Sequence, residues 1–302
     1  MATLYNQQDS NVAKTWILVA GFLSVVIGIG WLFSYLYNNQ VILYAAVIFS
    51  VVMNFVSYWY SDKIALTING ARPATREEFF DLYTVTENLA ITAGLPMPKI
   101  YIIPDPAPNA FATGRNKEHA VVAVTTGLLQ ILDKTELEGV IAHELAHVGN
   151  RDILLSSMVV VLVGFISILS NIFLRTRWSG GSRDNDSRGG LPAQSGTILM
   201  VVGIVLAILS PVVATLIQLA ISRRREYLAD ASGALLTRYP AGLASALEKI
   251  KNSAAPMIRA NNATAHLFIE SPFGEQARKG LATLFMTHPP IDERIKILRE
   301  ME

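Results

Sequence analysis

From Thr15 to Ser61 the chain carries no charged side chain. Such a stretch cannot form the surface of a water-soluble domain. At about 20 residues per crossing of a hydrocarbon core, it is long enough for two passes. The polar run Tyr37-Asn38-Asn39-Gln40 interrupts it as a tight connection. Trp16, Trp31, Tyr35, Tyr37, Tyr58, Trp59 and Tyr60 crowd toward the ends, where amphipathic rings sit at a membrane interface. The pattern predicts a transmembrane hairpin, Trp16–Tyr37 and Val41–Tyr60. A cleaved signal peptide fits less well. The apolar core exceeds the usual stretch of about 7–15 residues, and Lys14 is the one positive charge ahead of it.

A second pair of uncharged runs follows, Ile153–Leu174 and Thr197–Ile221, separated by the Arg-, Gly- and Ser-rich loop 175–196. These predict a second hairpin, with a re-entrant or cleft-covering hairpin as the alternative. The chain then divides into an N-terminal transmembrane hairpin (1–60), a catalytic part (61–152), a second transmembrane hairpin (153–221) and a second catalytic part (222–302). Four predicted transmembrane helices fit the composition: only 16% of the 302 residues are charged, against about 25% in a typical soluble domain. The net charge of +1 gives no electrostatic basis for binding nucleic acid. With no cysteine, disulfides and thiolate metal ligands are excluded.

The water-facing parts read as mainly α with a small β-sheet. A helix starts near Arg76, and Glu87–Ala93 belongs to another, stopped by Gly94-Leu95-Pro96. Lys99–Ile103 reads as a strand, broken by the proline-rich segment 104–108, and Ala120–Thr125 as a second strand. A short helix around Leu128–Leu132 leads to Thr135-Glu136-Leu137-Glu138, which fits a capping box with Thr135 as N-cap and Glu138 at N3. Further helices are expected at Arg223–Leu236, Leu243–Ile250 and Asp292–Glu302.

The helix after the capping box contains His143-Glu144-Leu145-Ala146-His147. Positions i and i+4 of a helix share one face, so both imidazoles can bind a single Zn²⁺ without moving the backbone. Glu144 between them can act as a general base toward an attacking water. Five-residue patterns also arise by chance in buried helices, but this chain has only 5 His and two of them fall here. A catalytic zinc site needs three protein ligands. The candidate third is Glu226, in Arg223-Arg224-Arg225-Glu226-Tyr227-Leu228-Ala229-Asp230. Asp230 lies four residues on, facing the same way, and can accept a ligand imidazole N–H. Taken alone, Glu226 reads as a solvated carboxylate balancing three arginines; beside the zinc motif it reads as a ligand. If His147 and Glu226 share one ion, the segments between them cross the membrane an even number of times or not at all.

Beyond the zinc motif, the residues Ser61–Leu66, Pro108–Gly114, Ala120–Leu129, Glu226–Asp230, Ala263–Leu267 and His288–Ile295 recur in a known order. On these motifs the chain resembles the HtpX-type membrane zinc metalloproteases, relatives of the CAAX prenyl endopeptidases. The resemblance implies a zincin-like (gluzincin) fold with one Zn²⁺ per chain. It also implies His143, His147 and Glu226 as ligands, Glu144 as base, and a role in membrane-protein quality control under stress. The loop 175–196 is not something the family pattern fixes.

Further site residues are expectations from chemistry. His288, ahead of Pro289-Pro290, is the candidate donor to the developing oxyanion, with capping or packing as its alternative. His266 reads as structural and His119 as exposed. A peptide substrate should bind as an added strand. Val121, Val122, Ala123 and Val124 form the β-like run just before the zinc helix, and Asn109 and Phe111 are plausible neighbours lining the cleft. The expected partners are polypeptide substrates, membrane proteins among them, and the lipid bilayer. Lys14, Lys63, Arg151 and Arg223–Arg225 flank the spans on the catalytic side, which favours a bacterial inner-membrane protein with that side in the cytoplasm. Arg175, Arg177, Arg183 and Arg188 in the second loop count against it. The competing readings are a processing protease with a defined substrate such as a lipidated C-terminal peptide, and a metal-stabilised scaffold without hydrolysis.

Overall fold

The computed structural model describes residues 4–179, 203, 205, 222–253, 255–274 and 289–301. Helix α1, Leu4–Leu36, and helix α2, Gln40–Ile68, form the first hairpin. Its turn uses Asn38 at φ 48°, a backbone that asparagine tolerates better than most residues. Asn39 then caps α2 by accepting from the Val41 N–H at 3.0 Å. Trp16, Trp31, Val41, Tyr44, Ile48 and Phe55 point outward, as a lipid-facing surface requires. The buried face of α2 carries Ser50, Asn54, Ser57 and Ser61. These small side chains admit a close neighbour; Ser57 Oγ donates to the Met53 carbonyl at 2.7 Å and Asn54 Nδ2 to the Ser50 carbonyl at 2.9 Å. The helices come close at Gly30, where a Cβ would fall 2.3 Å from that of Ala46.

Among the described residues, Asn11–Leu36 and Gln40–Ile68 are long and apolar enough to cross a membrane. Both helices outrun the hairpin expected from the sequence. The boundary placed at residue 60 falls inside α2, because Ala65 and Leu66 beyond the charged Asp62-Lys63 are apolar and pack into the catalytic part. The expected third span lies within helix α6, Asp152–Ser179. Its first turns are buried in protein: Leu155, Met158, Val159 and Leu162 pack on Leu18 and Phe22 of α1. The expected fourth span, but for residues 203 and 205, lies outside the described residues.

The catalytic part is built on a four-stranded mixed sheet: β1 Arg72–Pro73, β2 Lys99–Ile103, β3 Ala110–Thr113 and β4 Val121–Thr125, in the order β1-β2-β4-β3. Strand β4 runs parallel to β2 and antiparallel to β3. Helix α3 is a single helix, Phe80–Ala93, ended by Gly94 at φ 64°. It is not the pair expected, since residues 76–79 form only a turn. Helix α4, Thr126–Ile131, leads to the zinc-motif helix α5, Lys134–Gly149. The cap of α5 is Asp133 with Glu136, two residues earlier than the Thr135 and Glu138 expected. Glu136 also receives Ser245 Oγ at 2.7 Å and Lys249 Nζ at 2.6 Å, so distant partners settle the choice between two adjacent capping patterns. Helices α7, Arg223–Thr237, α8, Pro240–Ser253, and α9, Ile291–Arg299, complete the described elements.

One face of the sheet, with Ala112, Val122 and Val124, joins Val140, Ile141 and Leu145 of α5 in the main core. The other, with Phe111, Val121 and Ala123, packs on Ala65, Leu66 and Phe268. Helix α7 crosses α5 at Gly233, where a Cβ would lie 3.0 Å from the His143 backbone nitrogen. Because that neighbour is backbone, it cannot rotate away. Overpacking of this kind costs about 1–3 kcal/mol. Gly233→Ala is therefore expected to lower stability by that order in denaturant unfolding; a variant as stable as wild type would show that the helices are not packed this closely.

Candidate metal centre

Helix α5 runs through the core, so His143 and Glu144, 1% and 2% exposed, are cut off from water. Buried polar groups need partners, and the partners come from other elements. His143 and His147, one turn apart, meet edge to face with their Nε2 atoms separated by 3.2 Å. Glu226, in the first turn of α7, places Oε2 3.8 Å from His143 Nε2 and Oε1 3.7 Å from His147 Nε2. One ligand atom from each of the three lies within 4.8 Å of the others. That spacing suits one ion bonded at about 2.0–2.1 Å to each.

The remaining imidazole nitrogens each meet a carboxylate. His143 Nδ1 is 2.9 Å from Asp230 Oδ1, and His147 Nδ1 is 3.1 Å from Asp152 Oδ2. Each carboxylate has an arginine. Arg294 donates to Asp230 through Nε at 2.8 Å and Nη2 at 2.7 Å, and through Nη1 to the Ile269 carbonyl at 3.2 Å. Arg225 Nε lies 3.7 Å from Asp152 Oδ1. Such outer contacts fix the tautomer and orientation of a ligating imidazole.

The electrostatics follow from burial and these pairs. Burial opposes ionisation of Asp230, but the Arg294 charge and the His143 N–H outweigh it and bring its pKa down to about 2. Burial would lower His147, yet the Glu226 and Asp152 carboxylates raise it to about 9. Burial pushes Glu144 up, with Glu226 adding to it, while the imidazoles and the Ala112 backbone N–H pull the other way. Glu226 faces the Nε2 atoms of both imidazoles, while Asp230 and Asp152 face their Nδ1 atoms. The residues present therefore fit a divalent cation.

The residues expected from the sequence as ligands, base and imidazole partner (His143, His147, Glu226, Glu144 and Asp230) stand together here. Asp152, Arg225 and Arg294 join them without having been anticipated. His288 lies outside the described residues. His266 is buried beside the centre, with Nε2 2.9 Å from the Ser156 carbonyl, and His119 is exposed. The substrate strand expected at Val121, Val122, Ala123 and Val124 must be relocated. Strand β4 is paired on both sides and buried, so it has no free edge. Phe111 does not line the cleft either: it is fully buried and meets Phe268 edge-on at 5.1 Å. Asn109 is buried and donates through Nδ2 to the Glu270 carbonyl at 2.8 Å, tying β3 to that segment. The edge strands are β1 and β3, and on β3 Ala112 lines the same cleft as Glu144 and His143.

A glutamate held beside two such imidazoles is placed to move a proton next to a metal, and that is the work of a metallopeptidase. Residues 76–302 match the family described as Peptidase family M48. The chain belongs to that family. It is 48% identical to a Protease HtpX homolog of Caldanaerobacter subterraneus over 99% of this chain and 98% of that protein. A Protease HtpX homolog of Thermococcus sibiricus is 46% identical, covering 95% of each chain, and one of Streptococcus gordonii 41%, covering 99% of this chain and 100% of its own. The fold is shared with the crystal structure of S. mikatae Ste24p, at a TM-score of 0.51 and 22% identity over 95% of this chain and 67% of that one. Family and apolar helices together make the chain a membrane metallopeptidase.

Arg294 is fully buried and its guanidinium grips Asp230. Removing one partner of such a pair costs about 3–5 kcal/mol, because the other charge stays buried alone. Arg294→Leu is expected to lose stability on that scale in denaturant unfolding. Arg294→Lys should recover only part of it, since an ammonium cannot make the two-pronged contact. A stable Arg294→Leu protein would remove this pair from the account.

Proposed function

We propose that the chain is a zinc-dependent endopeptidase that hydrolyses peptide bonds of misfolded or damaged membrane proteins. The observation that carries this reading is Glu144, buried in a cleft with His143, His147 and Glu226. A purely structural metal site has no use for a base there. His143, His147 and Glu226 would hold one Zn²⁺, which when bound supplies an acidified water and polarises the scissile carbonyl. Glu144 takes a proton from the attacking water and passes it to the leaving amine. Asp230 and Asp152 keep the two imidazoles turned the right way. His288 is the proposed donor to the charge that builds on the carbonyl oxygen.

The peptide is proposed to pair with the edge of β3 at Ala112. Thr125 donates its N–H to the Asn109 carbonyl at 2.9 Å. In an antiparallel ladder the bonding side alternates along the strand, so Ala110 and Ala112 turn their backbone groups away from β4. Ala110 already accepts from the Ile269 N–H at 3.0 Å and the Ala112 N–H is directed at Glu144, which leaves the Ala112 carbonyl to accept from the peptide. Pairing of this kind holds a substrate straight without reading its sequence, as a protease for damaged proteins requires.

Both open ends of the first hairpin meet the catalytic part. Asn11 of α1 contacts Asp152, and Ala65 and Leu66 of α2 pack on the sheet. This supports a catalytic side shared by the N-terminus and both catalytic segments, proposed as the cytoplasmic face of a bacterial inner membrane, with the second hairpin crossing twice. The name HtpX attached to the relatives supports the stress and quality-control role. Likeness to Ste24p is one of fold and brings no substrate with it.

Glu144→Gln should keep stoichiometric zinc and lose proteolysis of casein or a membrane substrate by about 10²–10⁴-fold, whereas Glu226→Ala should lose zinc as well. Metal analysis with digestion assays separates the two; wild-type activity in the first, or full zinc in the second, refutes the assignment. In this Cys-free chain, a cysteine placed at Ser187 should label only from the side opposite the catalytic part. Labelling from the catalytic side would reject a spanning second hairpin.

A further inference from the structure

The apolar span of α1 begins with Asn11, a fully buried amide. Asn11, Thr15, Leu18 and Phe22 follow one another at helical spacing and are all buried, so they form one face of α1. Leu18 and Phe22 pack against α6. One turn and more above them, the same face delivers Asn11 to the corner between α5 and α6, where the two helices meet at 86°.

There Asn11 Nδ2 donates to the Asn150 carbonyl at 3.0 Å and to Asp152 Oδ1 at 2.5 Å. Its Oδ1 lies 3.5 Å from Arg225 Nη1. The other oxygen of Asp152 is the one 3.1 Å from His147 Nδ1, and Arg225 directly precedes Glu226. An amide can donate to a carboxylate and accept from a guanidinium at once; a carboxylate or an aliphatic side chain cannot. The 2.5 Å contact also limits rotation of the Asp152 carboxylate. Without it, Oδ1 would keep Arg225 Nε at 3.7 Å, beyond hydrogen-bond length.

We propose that Asn11 is a positioning residue of the metal centre. From the first membrane helix it holds Asp152 against His147 and Arg225 beside Glu226, and this local contact, not the α1–α6 packing below it, slows loss of the metal. The inference rests on the reading of His143, His147 and Glu226 as metal ligands.

The test uses the full chain in detergent or lipid nanodiscs, loaded with zinc. The rate of zinc loss is followed by absorbance as the metal passes to an excess of a chromogenic chelator. Contacts of this outer kind are worth about 10–100-fold in metal affinity, and Asn11→Ala should speed zinc loss by that factor. Leu18→Ala, which thins the same α1–α6 packing without touching Asp152, should lower the melting temperature and leave the rate of zinc loss unchanged. On an Asp152→Ala background, Asn11→Ala should add nothing, because its effect passes through that carboxylate. Asn11→Ser, with a hydroxyl in place of the amide, should fall between wild type and Asn11→Ala, and it carries the test if the alanine variant is not recovered folded. Wild-type zinc retention in the Asn11 variants, equal loss in Asn11→Ala and Leu18→Ala, or additivity with Asp152→Ala would each overturn the proposal. Glu226→Ala in the same assay keeps the two readings apart: if it retains zinc, the ligand assignment is at fault and not the part given to Asn11.

Discussion

Charge buried on the inner face of one helix has to be answered from elsewhere in the chain. Helix α5 carries His143 and Glu144 into a place where water cannot serve them, and an unanswered polar group there costs several kcal/mol. The answer is the crossing of α5 by α7 at Gly233. With no side chain at the contact, α7 lies close enough for Glu226 and Asp230, one turn apart on its face, to address both nitrogens of His143 at once. The rest of the catalytic part is arranged around that crossing. The sheet backs α5 on one side, α8 grips its cap through Glu136, and α9 supplies the arginine that lets Asp230 stay ionised.

The two imidazoles are held in parallel ways from opposite ends of the chain. His143 is backed by Asp230 and then by Arg294 from α9. His147 is backed by Asp152, with Arg225 and Asn11 around the far oxygen. Residues near both termini thus meet within one site. A centre wired in this way cannot be completed by either half of the chain. The membrane hairpin is accordingly part of the catalytic unit and more than a tether: α2 runs without a break from the apolar span into the core beneath β3 and β4.

Local chemistry was legible in the sequence wherever it repeats within a turn or a strand. The i, i+4 histidines, the Glu226–Asp230 pair, the strand Lys99–Ile103 and the glycine stop at Gly94 all depend on neighbours within a few residues. Long-range contacts were not. Asp133 and Thr135 are both plausible caps, and Ser245 and Lys249, more than a hundred residues away, decide between their boxes. Strand β3 is four residues of Ala, Phe, Ala and Thr after a proline-rich segment, too short to show a period. Without it the most β-like run before the zinc-motif helix was β4, which is paired on both sides. Asp152 drew no notice in the sequence, because nothing local reveals that the chain turns through 86° after α5 and brings it to His147.

That corner also explains how a peptidase site can stand at the boundary of a membrane. The link between α5 and α6 is Asn150-Arg151, with Arg151 at φ 58°, a left-handed backbone that costs a non-glycine residue roughly 1 kcal/mol or more. The strained link turns the chain from the zinc-motif helix straight into an apolar one, so His147 sits within a few residues of the first buried turn of α6. Polar groups at such a depth are tolerated only when other protein groups satisfy them. Asn11 does so at the corner itself, taking up both the Asn150 carbonyl and the Asp152 carboxylate. The polar start of α1 and the strained end of α5 are therefore two sides of one arrangement, which lets a charged, water-using site lie directly against apolar helices.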